Sequence, residues 1–171
     1  LRHDLTKFGY TEFHYSQRYY CGNHSPVYEE RVRHGYFSLI CQHHTKRNKH
    51  HWEYWVDFFA GRIIERTMPW SWAMEYICDT LSASYCYNPK GFKQDTPLRY
   101  FEKFNSFYYM TDWTREFIHW GLQRYAEMGF AGLKKKDTKK KYEELGKQYP
   151  LTQVVESLRP FGQLPPLVSD I

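Results

Sequence analysis

The segment His43-His44-Thr45-Lys46-Arg47-Asn48-Lys49-His50-His51-Trp52-Glu53-Tyr54-Trp55 gathers four of the chain's nine histidines among aromatic and basic residues. Read as one continuous helix, it places His44, Asn48, His51 and Trp55 at i, i+4, i+7 and i+11, on a single face. His43, Arg47, His50 and Tyr54 then form a second stripe about 100° away. Two imidazoles on one face, backed by an amide and an indole, suit a metal ion or a phosphate group. Lys46, Arg47 and Lys49 interleave with the cluster and either attract a phosphate or keep that face hydrated.

Two further groups carry chemistry. His3-Asp4 is an adjacent pair at a helix end, able to chelate one divalent ion when other helices add His or Asp. Zinc, manganese and iron accept that mixture of donors. Lys7 and Glu12 follow closely in sequence. The bland reading of the pair is a capping Asp and a surface His. Asp79 shares a helix face with Trp72, Tyr76 and Ala83, and a carboxylate in such a stripe is costly unless paired, hydrogen-bonded or metal-bound. Its plain alternative is an Asp satisfied by an Arg or a Tyr hydroxyl. His14, His24, His34 and His119 are scattered and read as surface or core-satisfied histidines. There is no nucleotide-binding glycine loop, no G-x-S-x-G elbow and no H-E-x-x-H motif.

The elements that must position these groups read as helices. Leu1 to Phe8 ends near Gly9, and Thr11 starts a helix running to about Cys21. Gly22-Asn23-His24-Ser25-Pro26 is a loop. A helix over Tyr28 to Gln42 would bury Val32, Tyr36 and Leu39, and Trp52 to Ile64 reads as helical. Whether one helix runs through the histidine cluster or a turn interrupts near Thr45 to Asn48 is left open by the pattern. Met68-Pro69 restarts a helix reaching about Tyr85, before Asn88-Pro89-Lys90-Gly91. Pro97 starts another to about Tyr109, and Thr111 or Asp112 caps a helix from Trp113 to Met128, stopped by Gly129. No stretch alternates convincingly at period two, so the expected class is all-α: a multi-helix domain over residues 1–130. Residues 131–171 are expected to form a basic helix and a proline-containing tail. They carry eight Lys or Arg against five Asp or Glu, as either a solvated helix or an arm that docks on a partner protein or on phosphates.

A chain of 171 residues can bury one sizeable core. With 16 Tyr, 12 Phe and 6 Trp it has enough aromatic surface to offset the entropy of ordering. The net charge of +5 favours anionic partners without identifying one. Cys21, Cys41, Cys78 and Cys86 show no C-x-x-C spacing and read as reduced thiols of an intracellular protein, in the cytoplasm or an organellar matrix. No run of about 18 apolar residues predicts a membrane span. The start on Leu1 reads as a trimmed or mature product.

The motifs His3-Asp4-Leu5-Thr6-Lys7, Thr11-Glu12-Phe13 and His43 through Trp55 resemble a family of small bacterial and phage proteins described as a domain of unknown function. The likeness continues through Met68-Pro69, Asp79 with Ser82-Ala83-Ser84, and Pro97-Leu98, over about the first 130 residues. That family's pattern is in turn distantly similar to His-Asp metal-dependent phosphohydrolases, helical domains whose ligands are a first His, an adjacent His-Asp pair and a later Asp. This second resemblance implies His3, Asp4 and Asp79 as ligands of a divalent ion (Mn, Fe, Zn or Mg), with His44 or His51 completing the sphere or contacting a phosphate. Lys7 or Arg47 would neutralise phosphate charge, and Glu12 and Asn48 would assist from the same pocket. The pattern departs from that likeness in three places. The first metal-binding His would lie upstream of His3, Thr80 stands where Arg follows the late Asp, and Thr111 stands where a His is expected.

Two functions are therefore expected. One is a metal-dependent phosphohydrolase acting on a phosphate ester, a nucleotide-like compound among the candidates, with a metal-bound water as nucleophile. The other is a non-catalytic subunit of a larger assembly, organellar among the options, that keeps the fold around a degenerate metal site. Nucleic-acid binding rests on the lysine blocks and tyrosines alone.

Overall fold

The computed structural model describes residues 4–22 and 25–155. They divide into two compact units, the first ending at Tyr54 and the second beginning at Trp55. Most described residues are helical, but a small antiparallel sheet corrects the all-α expectation.

In the first unit, a 3-10 turn over Leu5–Phe8 leads through Gly9 into α1 (Tyr10–Tyr19). Helix α2 (Pro26–Arg33) begins on Ser25, whose hydroxyl accepts from the Val27 amide, with proline in the first turn where a missing N–H costs nothing. The single helix expected over Tyr28 to Gln42 is not formed. Gly35 and Tyr36 both take positive φ, 59° and 74°, which ends α2, and Val32 and Tyr36 are exposed. Ser38 then caps α3 (Leu39–Arg47), accepting from the Cys41 amide and donating to Glu30 Oε2 at 2.6 Å. Glu30 also accepts from the Ile40 amide, so a buried carboxylate neutralises the free N–H groups of that helix start. Among the described residues of this unit the fully buried apolar side chains are Tyr19 and Ile40. Asp4, Glu12, Glu30, Ser38, Thr45 and His50 are the buried polar ones.

The second unit opens with a hairpin, β1 (Val56–Phe59) and β2 (Arg62–Arg66), in the register Phe59↔Arg62 and Val56↔Glu65. The continuation of a helix from Trp52 to Ile64 is therefore corrected. Ala60 and Gly61 both have positive φ, 50° and 73°, the requirement of a tight two-residue hairpin turn whose twist matches the strands. The third strand, β3 (Thr152–Val155), pairs with β2 from the far end of the described chain. Period two was hidden because Glu65 sits beside Ile63 on the buried face while Ile64 is half-buried on the other.

Helices α4 (Trp70–Tyr87), α5 (Thr96–Phe104), α6 (Asp112–Met128) and α7 (Lys135–Leu145) complete the unit. The starts of α4, α5 and α6 follow the Pro69, Pro97 and Thr111 signals of the sequence, and Gly129 stops α6. Helix α5 ends at Phe104 rather than near Tyr109, followed by a 3-10 turn over Asn105–Phe107. The core is apolar, with Ile77, Leu81, Phe101, Phe117, Ile118 and Leu122 buried between α4, α5 and α6. Gly121 allows α4 and α6 to approach, since a Cβ there would lie 2.5 Å from Ile77 Cδ1. The lysine-rich α7 is tied to this unit: Tyr142 donates to the Met68 carbonyl at 2.8 Å, and Trp113 donates to the Tyr142 carbonyl. No described helix is long and apolar enough to cross a membrane. All four cysteines are free thiols.

Candidate metal centre

The histidine cluster is split by the end of α3. Arg47 is its last residue, and Asn48 adopts an extended conformation, φ −105° and ψ 114°. The Asn48 side-chain amide donates to the His44 carbonyl at 2.9 Å and to Thr6 Oγ1 at 2.8 Å, satisfying one of the carbonyls a helix end leaves free. The chain then turns, with the His51 amide donating to the Asn48 carbonyl. That turn brings His50 and His51 back against His44, which a continuous helix would not have done for His50.

Four side chains converge there: Asp4, His44, His50 and His51, each offering one ligand atom, all within 4.8 Å of one another. Asp4 Oδ1 is 3.3 Å from His44 Nε2 and 3.4 Å from His50 Nε2. For metal–ligand bonds of about 2.0–2.1 Å, neighbouring donors of a tetrahedral ion stand about 3.3–3.4 Å apart. Those two edges are already at metal-binding separation, whereas a charge-assisted hydrogen bond would be nearer about 2.8 Å. His51 Nε2 is buried with no hydrogen-bond partner. Burial, and then repulsion from protonated forms of His50 and His44, pushes the His51 pKa down to about 3, so the ring is a neutral donor at physiological pH. Asp4 has φ 54°, in the left-handed region that Asp tolerates better than most residues. Its second oxygen is 2.5 Å from Lys7 Nζ. Three imidazoles and one carboxylate form a donor set for zinc, iron or manganese.

Around this group lies a supporting layer. Glu12, 1% exposed, contacts His43 Nδ1 at 2.7 Å and His44 Nδ1 at 2.9 Å through its two oxygens. Burial alone would raise its pKa, but the hydrogen bonds from His43, His44 and Thr6 outweigh it and hold the carboxyl below its usual range. Glu53, in the turn after His51, is a buried carboxylate raised to about 7 by desolvation, with Arg31 and Lys46 only partly opposing the shift.

Of the residues expected from sequence, the structure brings Asp4, His44 and His51 together, with Lys7, Glu12 and Asn48 around them. Arg47 is exposed at the end of α3. His3 and His24 lie outside the described residues. Asp79 is half-buried on α4, in the second unit, and is not in the group. Trp72, Tyr76 and Ala83 are likewise only half-buried, and the face of α4 that is fully buried carries Ala73, Ile77 and Leu81 instead. His34 is satisfied by the Tyr19 hydroxyl at 2.8 Å and His119 by Glu102 at 3.0 Å. His50, 1% exposed, is the member of the group that helical periodicity assigned to the other stripe. The signal for it was its place in a second His-His pair beside a helix end, not its angular position.

The family model of DUF5662, a family of unknown function, matches residues 1–124, and the chain belongs to that family. No curated protein and no solved structure matches the chain.

Proposed function

We propose that this DUF5662 member is a metal-dependent hydrolase of a phosphate ester, with Asp4, His44, His50 and His51 as protein ligands of one divalent ion. The observation that carries the reading is the convergence of four donor atoms within 4.8 Å, two of its edges at metal-binding separation. For hydrolysis the ion would have to take a fifth ligand beyond these four, and a water in that position would have its pKa lowered towards neutrality while a phosphoryl oxygen is polarised. The protein's part is to hold the donors in register and to supply charge. Lys7 pairs with Asp4 Oδ2 yet is more than half exposed, so its ammonium reaches solvent at the rim and can also meet an anionic substrate. Lys46, Arg47 and Lys49 are exposed on the same segment and add to the attraction for phosphate. The distant likeness to His-Asp phosphohydrolases supports the phosphate-ester class, nucleotides included. Neither His3 nor Asp79 is needed for this four-ligand set.

The test is metal analysis of the purified protein, followed by assays on phosphate monoesters and nucleotides with manganese, iron, zinc or magnesium. One equivalent of metal and metal-dependent phosphate release are expected. A protein that retains no ion after loading with each metal would sink the reading.

A second reading has its own support. Among the described residues of the first unit, buried polar side chains outnumber buried apolar ones, and four protein ligands can close a tetrahedral site. The ion would then be structural, in a non-catalytic subunit whose residues 131–171 meet a partner. Tight metal binding without hydrolysis of any tested ester, together with co-purification of a partner lost on deleting residues 156–171, would favour it.

A further inference from the structure

The geometry points to Glu12 as a positioning residue that selects the metal-binding tautomer of His44, an inference that rests on the metal centre proposed above. His44 Nδ1 has three polar neighbours, of which the Thr6 hydroxyl, at 3.4 Å, is the farthest and can donate or accept, so the two nearer ones compete to set its protonation. Glu12 Oε2 lies 2.9 Å away and the Asn48 side-chain nitrogen 3.0 Å away. A carboxylate can only accept, so Glu12 calls for a proton on Nδ1 and leaves Nε2 facing Asp4 Oδ1 at 3.3 Å, where a bound cation would bridge the two and where, without one, Asp4 competes more weakly from the longer distance. An amide N–H would impose the opposite: it donates to a bare Nδ1, moves the proton to Nε2, and removes His44 as a ligand. Asn48 has other acceptors for that nitrogen, Thr6 Oγ1 and the His44 carbonyl, so it can yield. Glu12 is buried and bound on its other oxygen by His43 Nδ1 at 2.7 Å, which stops the carboxylate from rotating away. The paired histidines thus have different tasks. His43 holds the carboxylate, and the carboxylate holds His44. Outer partners of this kind orient metal-binding imidazoles and raise their basicity.

Two measurements test this. Long-range 15N NMR of the metal-free wild-type protein reads the tautomer of each histidine directly. His44 is expected as the Nδ1–H form, and an Nε2–H form would overturn the inference whatever any variant does. Glu12→Met keeps the side chain unbranched and of similar length but removes both acceptors. It is expected to shift His44 to the Nε2–H form and to weaken cobalt(II) binding by roughly 10- to 100-fold, with an altered visible spectrum for the remaining complex. A merely structural role would lower the melting temperature and leave the tautomer unchanged. A wild-type protein that binds no cobalt overturns the metal-centre reading. A wild-type protein that binds it, with Glu12→Met binding equally well, overturns the inference alone.

Discussion

The imidazole rings of His50 and His51 lie 4.2 Å apart between centroids, inclined at 44°, although strict alternation along the chain would point consecutive side chains apart. The turn after α3 makes this proximity, and it places two imidazoles beside Asp4 and His44. Such crowding is unfavourable if both rings are protonated and favourable if a cation lies between them.

Removing either ring should therefore be decisive for metal binding. His50→Ala and His51→Ala are each expected to weaken divalent-ion affinity by more than about 100-fold, beyond the range typical of outer-layer substitutions. Chelator competition measures this. His14→Ala, on an exposed position of α1, should leave affinity unchanged.

Metal should also stabilise the fold, because the described residues of the first unit include few buried apolar side chains to hold it. At an ion concentration about 100 times the dissociation constant, the gain is about 2.7 kcal/mol. Thermal unfolding with and without a chelator should show the difference, and His44→Ala should abolish it.

Two half-buried side chains whose His51 Nε2 and Glu53 Oε2 atoms are shut off from water give the metal-free protein opposite pH dependences. His51 has a folded pKa of about 3 against an ordinary value of 6.5, so the unfolded chain binds more protons between them. Stability is then lost as pH falls from about 6.5 towards 3. Glu53 has a folded pKa of about 7 against 4.5, so its contribution is present below 4.5 and lost as pH rises through 7. Glu53→Gln should gain stability relative to wild type between pH 5 and pH 8, on the order of 2–3 kcal/mol. Denaturant titrations of both proteins at the two pH values would read it. No relative gain at pH 8 would remove the buried-carboxylate account.

The hairpin turn offers a stability test in the second unit. Ala60 occupies the left-handed region, which costs a residue with a Cβ roughly 1–2 kcal/mol and Asn less. Ala60→Asn, giving Asn-Gly at the turn, should raise the denaturation midpoint by the equivalent of about 0.5–1 kcal/mol. Gly129, at φ 60° and ψ −149°, is the reverse case, since that region is essentially restricted to glycine. Gly129→Ala should cost about 1–3 kcal/mol in the same assay.

Local signals were reliable where they act within one turn of chain. Pro69 and Thr111 mark the starts of α4 and α6, and Gly129 stops α6, because caps and breakers depend only on neighbouring backbone groups. They failed where a distant partner decides. The alternation of β2 was masked by Glu65 on its buried face, and its second neighbour, β3, comes from residues 152–155. The break at Gly35-Tyr36 separates α2 from α3 because two consecutive residues take positive φ, an arrangement that no pattern of apolar residues announces.

For the site, the sequence by itself determined the inventory: paired histidines, an Asp near the start, a Glu in the next helix, and cations among them. Residue type sets which atoms can donate to a metal, and that is written in the chain. The tertiary structure alone decided the membership. It ended α3 at Arg47 and turned His50 inward. It set Glu12 behind His44 and left Asp79 in the other unit. Ligation depends on separations of a few ångströms between side chains far apart in sequence, and only packing sets those.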